Sequence, residues 1–194
     1  MDNYNKNLKL LTENHIYSKD MEHDACGVGV IVSTEGKKSR KIVEYGIEAL
    51  KAVWHRGAVD ADGKTGDGAG IHVEIPKDFF IEKIEVTGHD YDNSEICVGM
   101  IFLPRNDYSS QESCKTIVES ELTKNDFSIY GWRQVPVNLK ILGEKAFQTM
   151  PEIIQVLFKS NDPNLINKDL ERKIYETRKK IENKAFELSL NNFY

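Results

Sequence analysis

The apolar positions of this chain fall into short runs separated by polar stretches marked by glycine and proline. From Met1 to Ala25 no period of 2 or 3.6 survives beyond a turn, so that stretch reads as polar and irregular rather than as core. At Cys26 the pattern changes abruptly. Cys26-Gly-Val-Gly-Val-Ile-Val-Ser33 is rich in β-branched residues, is closed by Glu35-Gly36, and predicts a buried strand. Ser39 is placed to cap a helix whose apolar positions Ile42, Val43, Ile47, Leu50 and Trp54 keep helical spacing, with a stop near Arg56-Gly57. Four glycines and three aspartates between Asp60 and Gly70 make a loop, after which Ile71, Val73 and Ile75 alternate with polar residues up to Pro76, as in a half-buried strand.

The second half of the chain is more regular. Ile96–Leu103 predicts a strand ended by Pro104, Ser110–Lys124 a helix, Phe127–Val137 a strand broken by Pro136, and Ile153–Phe158 a further buried strand. Leu170, Ile174, Thr177, Ile181, Ala185 and Leu188 form the narrow stripe of a long final helix, with Glu176 and Lys180 spaced for an i,i+4 pair. These connections are too irregular for a doubly wound parallel sheet. They predict a layered α+β fold with helices packed on mainly antiparallel sheets.

Composition narrows the function classes. The chain has 194 residues, 40% of them hydrophobic and 29% charged, with 26 basic against 31 acidic side chains and a net charge of −5. That suits one soluble domain. An acidic balance argues against nucleic acid, which is bound through clustered Lys and Arg. The two basic clusters, Lys37, Lys38, Arg40 and Lys41, then Arg172, Lys173, Arg178, Lys179 and Lys180 interleaved with Glu171, Glu176 and Glu182, read as solvated helix faces. No apolar run approaches the roughly 20 residues of a membrane span, and no secretory signal opens the chain, so no membrane is expected and a cytoplasmic location is.

Cys26, Cys97 and Cys114 are widely spaced, without a C-x-x-C pair, so neither a disulfide framework nor a metal site is expected. Cys97 and Cys114 lie in apolar stripes and read as small core hydrophobes. Cys26 stands at the composition break. Were the Ala25–Cys26 bond cut, the thiol would share a residue with a free α-amine of ordinary pKa about 7.7–8.0, a base beside a nucleophile. As a plain alternative it is a packing cysteine.

Other motifs also carry two readings. Gly66-Asp-Gly-Ala-Gly70 follows a loop and precedes a strand, the reverse of a dinucleotide-binding turn. Asp60-Ala-Asp-Gly-Lys64 has its glycine misplaced for a calcium loop, and Ile71 stands where the bidentate Glu belongs. What remains for the glycines is a tight turn, or close chain approach and positive φ. Arg56 presents a planar fork to a carboxylate or satisfies carbonyls at the helix end.

Taken together the strings resemble a known family. His23-Asp-Ala-Cys26-Gly-Val-Gly29, His55-Arg-Gly-Ala58 and Thr65-Gly-Asp-Gly-Ala-Gly-Ile71 are similar, in order and spacing, to the start of the class II glutamine amidotransferase domain of glutamate synthase large subunits. The similarity continues through Gly131-Trp-Arg-Gln-Val-Pro136, Met150-Pro-Glu-Ile-Ile-Gln155 and Leu170-Glu-Arg-Lys-Ile-Tyr175.

The resemblance implies an N-terminal-nucleophile (Ntn) hydrolase fold, a four-layer αββα sandwich that is incomplete here. It implies a leader over residues 1–25 and an amidotransferase part over 26–194. By position, Cys26 is expected to attack the side-chain amide of L-glutamine with its own α-amine as base. Arg56 is expected to hold the substrate's α-carboxylate, and the loop containing Asp67 and Gly68 to form part of the pocket wall.

No cofactor is expected on this chain; FMN and an iron–sulfur cluster belong to the parent enzyme, where ammonia passes to 2-oxoglutarate. The expected partners are L-glutamine, the remaining large-subunit domains and a small subunit. The family's Asn-Gly oxyanion pair and amine-gripping Asp come later than Tyr194. Because loss of one oxyanion donor costs about 10²–10³ in rate, the chain alone is expected to be poorly active or inactive. Two alternatives stand beside this reading: a truncated, non-catalytic amidotransferase-like scaffold that docks a partner, and an N-terminal-cysteine hydrolase for another amide.

Overall fold

The computed structural model describes residues 2–14, 27–54, 57–190 and 193–194. They divide into two units, each considered by itself: Met1–Val59 with Gly66–His72, and Asp60–Thr65 with Val73–Tyr194.

In the first unit, α1 spans Asp2–Asn14 and α2 spans Arg40–Ala52. The α1 helix corrects the irregular reading of that stretch. Its described side chains make local bonds: Thr12 Oγ1 to Lys9 O at 3.1 Å, Asn14 Nδ2 to Leu10 O at 3.2 Å, and a Lys9–Glu13 i,i+4 pair at 3.7 Å. Tyr4, Leu8 and Leu11 do keep an i, i+4, i+7 spacing, a period of three positions too short to stand out from the polar residues around it. In α2 the predicted cap is present, with Ser39 Oγ accepting from Lys41 N at 3.2 Å. The predicted stripe is only half-buried, and Trp54 is exposed.

The strand expected at Cys26–Ser33 is not found at residues 27–33; Cys26 itself lies outside the described residues. Val28, Val30 and Val32 are 90%, 84% and 75% exposed. Ile71–Ile75 is likewise irregular. Alternation and β-branching fit a residue to a strand, but a strand exists only where a second chain segment completes its ladder. No such ladder is formed by either segment among the described residues.

The second unit holds the sheet: β1 (Cys97–Leu103), β2 (Phe127–Gln134) and β3 (Glu152–Ser160), in the order β1-β3-β2. Both edge strands run antiparallel to β3, with Cys97 opposite Phe158 and Arg133 opposite Gln155. Pro136 limits β2 as expected. Val135 N still donates to Ile153 O at 3.1 Å, and then a residue without an N–H follows. The helices are α3 (Lys77–Val86), α4 (Tyr108–Lys124), α5 (Glu144–Thr149) and α6 (Asn167–Glu187), with a short 3-10 turn at Leu139–Ile141.

Alternation along β3 sorts the two faces. Val156 and Phe158 join Cys97, Phe127, Ile117, Val118 and Leu122 beneath α4, together with Leu170 and Ile181 of α6. Leu157 points the other way, onto Phe80 and Ile84 of α3 and Tyr130 of β2. Helix α3 was not expected: its buried residues are only Phe80 and Ile84, one i,i+4 pair and too little for a period. In α6 the stripe holds as far as Ala185, and Leu188 is exposed. The expected Glu176–Lys180 pair is replaced. Glu176 accepts from Arg172 at 3.0 Å, while Lys180 reaches Asn125 Oδ1 on the end of α4 at 2.5 Å. The architecture is α+β with an antiparallel sheet, consistent with an incomplete Ntn-hydrolase sandwich.

Candidate functional site

Of the four residues singled out for chemistry, Cys26 and Arg56 lie outside the described residues, while Asp67 and Gly68 lie in the first unit. Asp67 Oδ2 accepts a hydrogen bond from Ala58 N at 2.7 Å. Beside it, Val59 and Gly66 form an isolated antiparallel bridge. Gly57 N donates to Trp54 O at 3.0 Å, turning the chain just after α2. These bonds bring the backbone that follows Arg56 against the glycine-rich segment.

The glycines of that segment have separable reasons. Gly68 has φ +96°, and a Cβ there would meet nothing within 4 Å, so conformation rather than close approach requires it. Gly70 has open space and no positive φ. In the other unit, Asp60–Thr65 is a tight turn with Gly63 at φ +68°. Asp60 N donates to Thr65 O at 2.8 Å, and Asp62 Oδ1 accepts from Thr65 N at 2.7 Å and Lys64 N at 2.9 Å. The Thr65 hydroxyl, donating to Asp62 Oδ2 at 2.6 Å, is the first cause holding the Asp62 carboxyl well below the usual range. Asp60 is lowered chiefly by Lys145, whose Nζ lies 2.5 Å from Oδ2. These aspartates serve as acceptors within the turn.

The later strings are structural. In Gly131-Trp-Arg-Gln-Val-Pro136, Gly131 sits at a β-bulge with φ +149°, Trp132 Nε1 donates to Glu119 at 2.7 Å, and Arg133 Nη1 donates to Gln155 Oε1 at 2.7 Å. Gln155 closes the Met150–Gln155 string, so two of the quoted strings are one cross-strand contact. In the second unit a cleft beside β1 and β3 is lined by residues that include Arg105, Gln148, Met150, Pro151 and Tyr194.

Cys97 and Cys114 are free and buried. Burial, then the Glu95 and Glu171 charges, push the Cys97 thiol up to about 12, and burial likewise raises Cys114. Thiols so placed are poor nucleophiles and poor metal ligands at neutral pH. No three His, Cys, Asp or Glu side chains among the described residues gather as a metal-ligand set, so these residues do not fit an iron–sulfur cluster. Among the described residues no helix is long and apolar enough to cross a membrane. Among the basic residues of α6, Arg172, Arg178 and Lys179 pair along their own helix with Glu176 and Glu182, while Lys173 and Lys180 reach Asp126 and Asn125 at the end of α4.

Sequence reasoning missed three features: in the first unit the Ala58 N–H bonded to Asp67, and in the second Lys145 and Gly143, which meet the Asp60–Thr65 turn. A backbone donor has no residue signature, and the other two stand some eighty positions away in sequence. No local pattern announces them.

The family described as glutamine amidotransferases class-II matches residues 26–194. The chain is 49% identical over 191 residues to the glutamate synthase [NADPH] large chain of Azospirillum brasilense, covering 98% of this chain and 12% of that protein. It is 38% identical over 175 residues to the ferredoxin-dependent glutamate synthase of Pyropia yezoensis, covering 90% and 11%. With ferredoxin-dependent glutamate synthase 2, chloroplastic, of Arabidopsis thaliana it shares 40% over 162 residues, covering 83% and 10%. It thus spans about a tenth of the length of these relatives. Matched from Cys26 to Tyr194, the chain belongs to the class II glutamine amidotransferases and corresponds to the amidotransferase part of a glutamate synthase large subunit.

Proposed function

We propose that this chain is the glutaminase part of a glutamate synthase, in which Cys26, freed of residues 1–25, hydrolyses L-glutamine to L-glutamate and ammonia. The thiolate attacks the side-chain amide carbon, ammonia leaves, and water releases glutamate from the resulting thioester. The α-amine of Cys26 takes the thiol proton and returns it to the leaving nitrogen. Arg56 binds the α-carboxylate, and the Asp67–Gly68 segment forms part of the pocket wall. Ammonia passes to 2-oxoglutarate in the remaining domains of the large subunit, which carry FMN and the iron–sulfur cluster, with a small subunit as a further partner.

The observation that carries this reading is the class II match beginning at Cys26. It is supported by the two other thiols, which are buried and of raised pKa and so offer no competing nucleophile. The test is glutamine-dependent ammonia release by the complete gene product. The expected result is an intact mass that begins at Cys26 and turnover abolished in Cys26→Ala. Equal rates in wild type and Cys26→Ala would remove Cys26 from the chemistry and leave the scaffold reading.

A further inference from the structure

Strand β1 is an edge of the sheet, with β3 on one side. On its other side Phe102 N donates to Tyr194 O at 2.8 Å and Tyr194 N donates to Phe102 O at 3.1 Å. Two residues that exchange both bonds are one hydrogen-bonded pair of an antiparallel ladder. Phe193, one position earlier, is half-buried against the cluster of Leu103, Cys114 and Ile154, while Tyr194 is exposed. The two side chains thus alternate across the sheet as strand residues do.

This pair also sets a direction. The N–H and C=O of a strand residue point to one side, and the sides alternate along the chain, so Val98 and Met100 share the outward set with Phe102. Among the described residues no backbone bond reaches the outward groups of Val98 or Met100. An open row of donors and acceptors is a template for another strand. Polypeptide leaving Tyr194 in the same antiparallel sense runs from Phe102 back toward Cys97 and passes both residues.

We infer that the outer edge of β1 is the docking site for the segment that follows Tyr194 in the complete protein, which pairs there as a fourth strand, its second residue opposite Met100 and its fourth opposite Val98. The match to the Azospirillum brasilense large chain is to its N-terminal region and covers 12% of it, so in that relative polypeptide is at hand to continue the register. A second copy pairing its own β1 along this edge would meet Tyr194 already seated at one end.

The test begins with residue-resolved amide exchange of the wild-type sequence, in the 194-residue chain and in the complete gene product. In the shorter chain the outward Val98 and Met100 amides should exchange faster than those of Gly99 and Ile101, which face β3. In the complete product Val98 and Met100 should slow by about tenfold or more. A cysteine pair then identifies the occupant: Met100→Cys is combined, in the complete product, with cysteine at the second residue after Tyr194. Hydrogen-bonded pairs hold their Cα atoms about 5.5 Å apart, within disulfide range. Met100 is exposed and lies on the face opposite Cys97, so that native thiol does not compete. Oxidation should give an intrachain disulfide, and cysteine at the first residue after Tyr194, on the other face, should give none.

Val98 and Met100 amides that exchange at one rate in both lengths of chain would overturn the inference. So would protection without the intrachain disulfide, because a different segment then covers the edge. A disulfide between two molecules would assign the edge to a second copy, and a gene product ending at Tyr194 would leave no occupant; either result also overturns it.

Discussion

Arg133 of β2 donates from Nη1 to Gln155 Oε1 of β3 at 2.7 Å while its guanidinium lies over the Phe79 ring at 5.1 Å. Gln155 is only 8% exposed, so this bond satisfies a polar group that water barely reaches. An orphaned buried acceptor costs about 1–3 kcal/mol, whereas a bond exchanged for water costs less. Arg133→Ala is therefore expected to destabilise the chain by about 1–3 kcal/mol in urea titration. Arg133→Lys should recover little, because an ammonium lacks the fork that donates to Gln155 while the guanidinium carbon lies over Phe79. Arg133→Ala combined with Gln155→Leu should be less damaging than Arg133→Ala alone.

Gly131 is fixed by backbone and neighbour together. Its φ is +149°, and a Cβ there would stand 2.7 Å from Thr87 Cγ2. Gly131→Ala should lower stability by about 1–3 kcal/mol through overpacking, beyond the strain of a side chain at positive φ. Thr87→Ser removes the clashing methyl and keeps the hydroxyl that lies 2.7 Å from Tyr130 O. Adding Thr87→Ser to Gly131→Ala should return part of the loss, read as a rise in Tm. If Thr87→Ser brings nothing back, the methyl contact is not what excludes a side chain at 131.

These two residues show how the sequence was legible in part. Elements whose evidence is local were readable: Ser39 as a cap, the Cys114–Leu122 stripe of α4, the apolar run of β3, and Pro136 as the limit of β2. The α+β class followed from their order. Where the deciding partner is distant, the sequence misled. Val28, Val30 and Val32 carry a strand's alternation with no ladder to join, and Asp67 gave no sign that its acceptor role is filled by Ala58. Lys180 was spaced for Glu176 and found Asn125 of another helix. Cys26 and Arg56 were proposed for chemistry from the family's strings and lie outside the described residues; a support such as the Ala58 N–H is set by geometry and leaves no string to read.

The Cys97 thiol gives an alkaline signature. Burial raises it from an ordinary 9.0 to about 12, so between those values the unfolded chain loses a proton that the folded chain keeps. The sign follows directly: stability from this group is complete below pH 9 and is lost as pH rises toward 12. Tyr130 is also raised, mainly by desolvation, and acts in the same sense at higher pH. Urea midpoints of wild type should fall from pH 9 to 11, and Cys97→Val should fall less steeply. Thiol reagents at pH 8 should leave Cys97 and Cys114 unmodified until urea is added. Rapid native labelling of Cys97 would contradict its burial.

Gly143 opens α5 against the Asp62–Thr65 turn, where a Cβ would come within 2.6 Å of Thr65 N and closer still to the Thr65 hydroxyl and an Asp62 carboxylate oxygen. Backbone stands in the way, so a rotamer change cannot relieve the crowding and the turn itself must shift. Gly143→Ala is therefore expected to quicken amide exchange at Thr65 about tenfold, the scale of one lost hydrogen bond. The acid side offers an independent readout. The Thr65 hydroxyl, then the Thr65 and Lys64 N–H groups, hold Asp62 below its ordinary 3.8, so its contribution is present above that pH and disappears as the folded group protonates. In wild type the Thr65 amide resonance should titrate well below pH 3.8; in Gly143→Ala its midpoint should move up toward that value. Lys145→Ala removes the ion pair to Asp60 but leaves the Asp62 acceptors in place, and should change the Thr65 midpoint far less. A Thr65 resonance that titrates identically in wild type and Gly143→Ala would show that the close approach of α5 does not hold the turn.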